Sequence, residues 1–224
     1  MKKGRLEIAC FNLESARIAQ ENGADRVELC ANMKEGGTTP DFEITKAVRD
    51  ILSIDLNVMI RPRGGNFVYS DFEFEQMKTE IQQFKKLKVD GFVFGILKED
   101  GRLNKEQNAE LVALANPLPC TFHRAFDGIK NKFQALESLI ECDFKTILTS
   151  GVETNVTEGI DVLATLKEKA NDRITIMPGG GLRSTNIGVL KEKTKAVFYH
   201  SSAITDSSEI ANDNEVKALK ANLQ

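Results

Sequence analysis

Short apolar runs alternate with polar turns and amphipathic stretches along the whole chain. Each run is four to six residues long, which is the length of a buried β-strand. Eight runs are predicted to be strands: 6–10, 26–30, 56–61, 91–95, 120–124, 144–148, 174–177 and 196–200. Between them, apolar residues recur at helical spacing, so that Phe74, Met77, Ile81 and Phe84 are predicted to share one buried helix face.

Signals for helix starts occur where the periodicity changes from two residues to 3.6. Ser70 and Glu73 have the spacing of a capping box before the apolar stripe, and Pro40 after Thr39 suits the first turn of an earlier helix. A further helix is predicted near Ser184. Strands that alternate with helices pair in parallel through right-handed crossovers, so the chain is predicted to be an α/β protein.

Eight strand–helix units in one chain favour a closed barrel over an open sheet. The predicted fold is a single compact (β/α)8 barrel over residues 1–224, with its core at 5–203 and a C-terminal helix or tail at 204–224. Eight units in 224 residues leave 28 residues for each, against a usual total of ~250, so the loops must be short. An open doubly wound sheet is the alternative architecture.

Composition and charge narrow the choice of partners and compartment. Lys and Arg number 30 against 33 Asp and Glu, a net charge of −3 without a basic block, so no nucleic-acid partner is expected. No apolar run approaches the ~20 residues that cross a bilayer, and the N-terminus lacks a secretion signal, so we expect a cytoplasmic protein without a membrane partner. The four cysteines include no CxxC pair and are expected to be reduced thiols.

The polar residues are informative because they follow the predicted strands. In a parallel barrel, the carboxyl ends of the strands and the loops after them form the face where reactive groups gather. The candidate residues at these positions are Glu28, Cys30, Arg61, Arg63, His123, Asp127, Thr149, Ser150, Gly179, Gly180, Gly181 and His200. A charge inside an apolar strand costs several kcal/mol unless it is paired, so Glu28, Arg61 and His123 are predicted to form one mutually satisfied polar cluster. A network that only closes the barrel interior is the structural alternative.

Two features of this face suit an anionic ligand. Gly179, Gly180 and Gly181 precede a predicted helix and can present backbone N–H groups to an anion, at a position where such barrels often bind phosphate. Arg61 and Arg63 can hold the other end of the ligand through bidentate contacts. The alternatives are a tight glycine turn and guanidinium groups that pair with nearby carboxylates.

Cys10 and Cys30 end the first two predicted strands, whose axes lie about 4.8 Å apart in a parallel sheet. Two thiolates at that separation can give Cu(I) a two-coordinate site, whereas Zn²⁺ in a structural site takes four ligands. Cysteines that only pack in the core are the alternative. The spacing therefore permits a metal site and does not require one.

Six motifs follow one another along most of the chain. They are GADRVELC at 23–30, EGGTTP at 35–40, VMIRPRGG at 58–65, TFHRAFD at 121–127, LTSG at 148–151 and MPGGG at 177–181. In sequence and in order they resemble the CutC family of copper homeostasis proteins. The resemblance implies a cytoplasmic, self-associating TIM barrel that acts in copper tolerance or trafficking. It also matches Cys10 and Cys30 with the cysteines proposed as Cu(I) ligands in some members.

Two functional hypotheses follow. In the first, the protein binds Cu(I) through the thiolates of Cys10 and Cys30. In the second, it is an enzyme that acts on a small phosphorylated or carboxylated metabolite. Proton transfer would then fall to Glu28, His123 and Asp127. The ligand would be bound by Arg61, Arg63, Thr149, Ser150, Gly179, Gly180, Gly181 and His200.

Overall fold

Eight parallel strands form the centre of the protein, in a computed structural model that describes residues 3–224. The strands are β1 (Arg5–Cys10), β2 (Arg26–Leu29), β3 (Asp55–Met59), β4 (Gly91–Phe94), β5 (Cys120–Phe122), β6 (Thr146–Thr149), β7 (Thr175–Pro178) and β8 (Phe198–Ser201). They lie in the order β7-β6-β5-β4-β3-β2-β1-β8. A parallel bridge between Gly179 and His200 joins the two edges. The sheet is therefore the predicted (β/α)8 barrel.

One α-helix follows each strand. The helices are α1 (Leu13–Glu21), α2 (Phe42–Ile51), α3 (Asp71–Lys85), α4 (Lys105–Ala115), α5 (Lys132–Glu141), α6 (Ile160–Ala170), α7 (Ile187–Thr194) and α8 (Asp213–Leu223). Short 3₁₀ helices at Met33–Glu35 and Arg124–Gly128 lie in the loops after β2 and β5. Within residues 3–224, every helix is too short or too polar to cross a membrane.

The predicted helix signals are confirmed in part. Ser70 and Glu73 form the capping box of α3, and the apolar stripe of that helix is buried. The other two helices begin later than predicted. Pro40 lies just before α2 and not in its first turn, because Asp41 caps the helix through its side chain. Ser184 bonds to Glu215 of α8, and α7 starts three residues further on.

Side-chain alternation gives the barrel its two faces. In β1, Ile8 and Cys10 pack in the apolar layer between the sheet and the helices, whereas Glu7 and Ala9 point to the barrel interior, where Glu7 contacts His200. The interior therefore carries charge near the mouth. This arrangement places the polar residues of the strand ends around one central space.

Candidate functional site

A cavity of about 430 Å³ opens at the carboxyl ends of the strands. It is the size of a small-metabolite site. Seven residues expected from the sequence line it: Glu28, Cys30, Arg61, His123, Gly180, Gly181 and His200. The structure thus brings these predicted residues together around one cavity.

The hydrogen bonding of this wall is incomplete. Within residues 3–224, five buried side-chain atoms have no hydrogen-bond partner, and three of them belong to the cavity: Glu28 Oε1, Arg61 Nε and His123 Nε2. The prediction that these residues satisfy one another is wrong, because each keeps an unused donor or acceptor. Buried polar atoms are normally paired, so three open ones around one cavity indicate a place for a ligand.

Arg61 is buried without a carboxylate partner. Arg61 is only 4% exposed. Its two terminal nitrogens donate to the backbone carbonyls of Glu35, Gly37 and Gly65 at 2.8 to 3.0 Å. It forms no ion pair with any acidic residue of the described chain. The ring of Phe67 lies under the guanidinium, 4.8 Å from it. An uncompensated positive charge therefore borders the cavity.

His123 is a neutral imidazole in this setting. Burial and the adjacent Arg61 charge lower the pKa of His123 to about 3. Its Nδ1 accepts the backbone N–H of Ala125 at 3.3 Å, so in the neutral ring Nε2 carries the hydrogen. Gly95 allows this ring to lie close, because a β-carbon there would come within 2.8 Å of the imidazole. His123 Nε2 is thus a hydrogen-bond donor without an acceptor.

A second group of charges lies where β8, β1 and β2 adjoin. His200 Nδ1 is 2.7 Å from Glu7 Oε1, and the other oxygen of Glu7 accepts from Arg26 Nε. His200 Nε2 faces Glu28 Oε2 at 3.8 Å. Burial opposes ionisation of Glu7, but Arg26 and His200 hold the pKa of Glu7 at about 2. Burial raises the pKa of Glu28, while the two carboxylates raise the pKa of His200 against its burial.

The two cysteines of the copper hypothesis lie on opposite faces of the sheet. The register pairs Cys10 with Leu29, so Cys30 is one residue further along and points the other way. Cys30 lines the cavity and donates to Glu28 Oε2 at 3.5 Å, whereas Cys10 lies in the outer apolar core. Burial raises the pKa of both thiols well above the ordinary value, Glu28 adding to the rise. The expected pair of facing thiolates is therefore absent.

Several other predicted residues do not line the cavity. Arg63 is held by Glu73 of α3 at 2.6 Å and by loop carbonyls. Asp127 is enclosed by Thr149, Ser150 and Arg124. The structure therefore brings Arg63, Asp127, Thr149 and Ser150 to the mouth but ties them into its framework.

The glycine loop contributes two of its three members. Gly180 and Gly181 line the cavity, and their carbonyls accept from Val156 N–H and the Asn186 side chain, both at 2.9 Å. Gly180 has a φ of +110°, and a β-carbon there would lie 2.9 Å from the Arg124 guanidinium. Gly179 is more removed, since it forms the bridge to β8.

Sequence reasoning missed other residues that line the cavity, among them Phe67 and Arg183. Arg183 is the most significant, because it carries a charge and, among the described residues, bonds only to neutral oxygens of Leu182, Ser201 and Ile204. Its position two residues after the glycine loop was the available signal. Phe67 lies in the loop after β3, without any sequence signal that it contacts Arg61 and His123.

The fold and the cavity define a (β/α)8 barrel protein with a charged, ligand-sized space at its mouth. The chain belongs to the CutC family, whose model matches residues 4–205. It is 44% identical over 198 residues to the human protein named copper homeostasis protein cutC homolog, covering 88% of this chain and 72% of that protein. A CutC family protein of Parabacteroides distasonis is 43% identical over 213 residues, 93% of this chain and 88% of that one.

Solved structures agree with the fold. A crystal structure of CutC from Streptococcus agalactiae superposes with a TM-score of 0.85 at 35% identity, covering 90% of this chain and 99% of that one. Phosphoribosyl anthranilate isomerase from Thermotoga maritima superposes with a TM-score of 0.67 at 16% identity, over 98% of each chain. The second likeness shows the barrel fold alone.

Proposed function

We propose that the barrel mouth binds a small phosphorylated or carboxylated metabolite and acts on it by acid–base chemistry. The observation that carries this proposal is the buried Arg61 guanidinium, which has no carboxylate partner in residues 3–224. A buried charge left unpaired is strongly destabilising, and an anionic ligand in the cavity would compensate it.

The anion has donors on the opposite wall as well. The N–H groups of Gly180 and Gly181 donate to no other group of the described chain, while their carbonyls are bonded elsewhere. Arg183 adds a second guanidinium without an acidic partner. Backbone N–H groups beside an arginine form the kind of site that binds phosphate or carboxylate oxygens. The two walls together would hold a ligand with an anionic group at one end or at both.

Acid–base chemistry would fall to Glu28 and His123. Because burial raises the pKa of Glu28, its carboxyl can hold or release a proton nearer neutral pH than an ordinary glutamate. His123 stays neutral and would donate its Nε2 hydrogen to a carbonyl or alkoxide oxygen of the ligand. Asp127, the third sequence candidate, has both oxygens engaged by the protein and would only support the loop.

Anion binding by arginine variants tests the proposed site. Inorganic phosphate and acetate are titrated calorimetrically into the parent chain, Arg61→Met and Arg63→Met. We expect Arg61→Met to weaken anion binding about 100-fold, because it removes a buried charge from the ligand. Arg63→Met is the matched control, since Arg63 bonds outside the cavity. An Arg61→Met chain that binds both anions as tightly as its parent contradicts the proposal.

Cu(I) binding is the second candidate function. The placement of Cys30 favours a copper site that uses this thiol without Cys10. The Cys30 thiol lines the cavity together with the thioether residues Met33 and Met59, and sulfur ligands suit Cu(I). Cys10 does not fit a shared site, because the sheet separates its thiol from the cavity. Copper would then be cargo bound at one face of the cavity, by Cys30 and not by a pair of thiolates.

The two cysteines provide their own control for copper. Cu(I) is titrated against a competing chelator under reducing conditions into the parent, Cys30→Ser and Cys10→Ser. We expect Cys30→Ser to lose Cu(I) binding and Cys10→Ser to keep it. Equal losses in both variants would restore the paired-thiolate site of the sequence hypothesis, and no loss in either would remove both cysteines from the site.

A further inference from the structure

One group of candidate metal ligands occurs inside the barrel, among the residues that the structure describes. Ligand atoms of Glu7, Glu28 and His200 all lie within 4.8 Å of one another, and all three residues are buried. They belong to β1, β2 and β8, which are neighbours in the sheet. Rigid strands thus hold a histidine between two carboxylates at the base of the cavity.

The three residues have different bonding. Both oxygens of Glu7 are used, one by Arg26 and one by His200 Nδ1 at 2.7 Å. The other ring nitrogen, His200 Nε2, takes no part in these bonds. It lies 3.8 Å from Glu28 Oε2, which is too far for a hydrogen bond. Glu28 Oε1 has no partner at all, in a residue only 3% exposed. His200 Nε2 therefore faces a carboxylate that has one oxygen without a hydrogen bond and another that accepts only from the Cys30 thiol, at 3.5 Å.

A carboxylate bonded to one imidazole nitrogen is the arrangement that orients a histidine for metal binding through the other nitrogen. We propose that His200 Nε2 and Glu28 are ligands of a divalent first-row metal ion, for which Zn²⁺ is the probe, with Glu7 as the outer carboxylate that fixes the His200 ring. This site goes beyond the proposed anion site and does not depend on it. In the metal-bound form, Glu28 is a ligand in place of carrying a proton.

Distance and donor type support a divalent ion. Zn²⁺ bound at about 2.1 Å to a nitrogen and an oxygen in a tetrahedral site places those two atoms about 3.4 Å apart. The observed 3.8 Å between His200 Nε2 and Glu28 Oε2 is close to that separation. Imidazole and carboxylate suit Zn²⁺ and similar ions, whereas Cu(I) prefers sulfur, so this site differs from one at Cys30.

Charge balance points the same way. Glu7 is neutralised by Arg26, its neighbour on β2. Without a metal, the negative charge of Glu28 is opposed by a proton on His200 and, more weakly, by the charge of Arg26. A divalent ion would replace that proton and keep two coordination positions facing the cavity. The open positions would let a ligand in the cavity reach the metal directly.

The test is a titration of the metal-free, full-length chain with Zn²⁺ against a chromophoric chelator, with no phosphate present. We expect the parent to bind one Zn²⁺, and Glu28→Gln and His200→Gln each to weaken binding at least tenfold. Glu35→Gln is the matched control, because Glu35 is a cavity carboxylate outside the group and its bond is to Gly64 N–H. Thermal unfolding curves establish that each variant is folded.

A second measurement uses the parent alone. The chain has only two histidines, so their imidazole NMR signals can be assigned. One equivalent of Zn²⁺ is expected to shift the His200 signals and to leave those of His123 in place. Zn²⁺ that does not bind, that binds Glu28→Gln as tightly as the parent, or that leaves His200 unmoved overturns the proposal. Because no phosphate is present, this result is independent of the phosphate test.

Discussion

Two groups of charged residues lie at the same mouth, and they differ in how completely they are bonded. Around Asp127, the Thr149 hydroxyl, the N–H groups of Ser150 and Val152, and Arg124 Nε all point at one carboxylate. This network, which we call the Asp127 network, uses both carboxylate oxygens. The Asp127 carboxylate is thus fully engaged within the protein.

The cavity group of Glu28, Arg61 and His123 also places an acidic residue and an arginine at the mouth, but its hydrogen bonding is open. Each of its members keeps one buried atom without a partner. The residue types alone therefore do not separate a structural network from a binding site. The completeness of hydrogen bonding separates them, because a closed network stabilises the fold, whereas an open one has donors and acceptors that can bind a ligand.

The largest expected effect is a loss of folding stability when the Asp127 network is broken. Asp127→Asn removes the charge opposite Arg124 and turns an amide toward donors, so we expect the free energy of unfolding to fall by about 3 kcal/mol. Arg61→Met is the comparison, because removing an unpaired buried charge should leave stability unchanged or higher. Urea unfolding of both variants measures the difference. Equal destabilisation would mean that Arg61 is as structural as Asp127.

The next effect is a pH dependence that comes from the cavity group. The pKa of His123 is about 3 in the folded chain and 6.5 when unfolded, so between these values only the unfolded state binds the proton. Stability must then fall as pH falls through this window, by about 1.5 kcal/mol between pH 6.5 and 5. His123→Gln should remove that part of the slope in urea unfolding at each pH. An unchanged slope would show that folding does not lower the pKa of His123.

The same contrast explains what the sequence could predict. All eight apolar runs are strands, because strands buried on both faces are nearly continuous apolar segments. The run at 120–124 ends early, since the His123 ring accepts the Ala125 N–H and the chain turns there. The faces of Cys10 and Cys30 depend on a one-residue register, which strand order alone does not specify. The closure of the Asp127 network likewise depends on neighbours from another loop.

The smallest expected effect is the loss of stability when a single hydrogen-bonding group is removed from each of the two groups. Thr149→Val keeps the side-chain shape but removes the hydroxyl that bonds Asp127 and accepts from Gly151 N–H at 3.0 Å. We expect a loss of about 1 kcal/mol in the free energy of unfolding, because one buried acceptor disappears while its donor remains. Thr149→Ser keeps the hydroxyl and should lose less. Glu28→Gln, an equally conservative change in the open group, should cost less than Thr149→Val, since Glu28 Oε1 has no bond to lose. A larger loss for Glu28→Gln would mean that the open group, too, holds the barrel together.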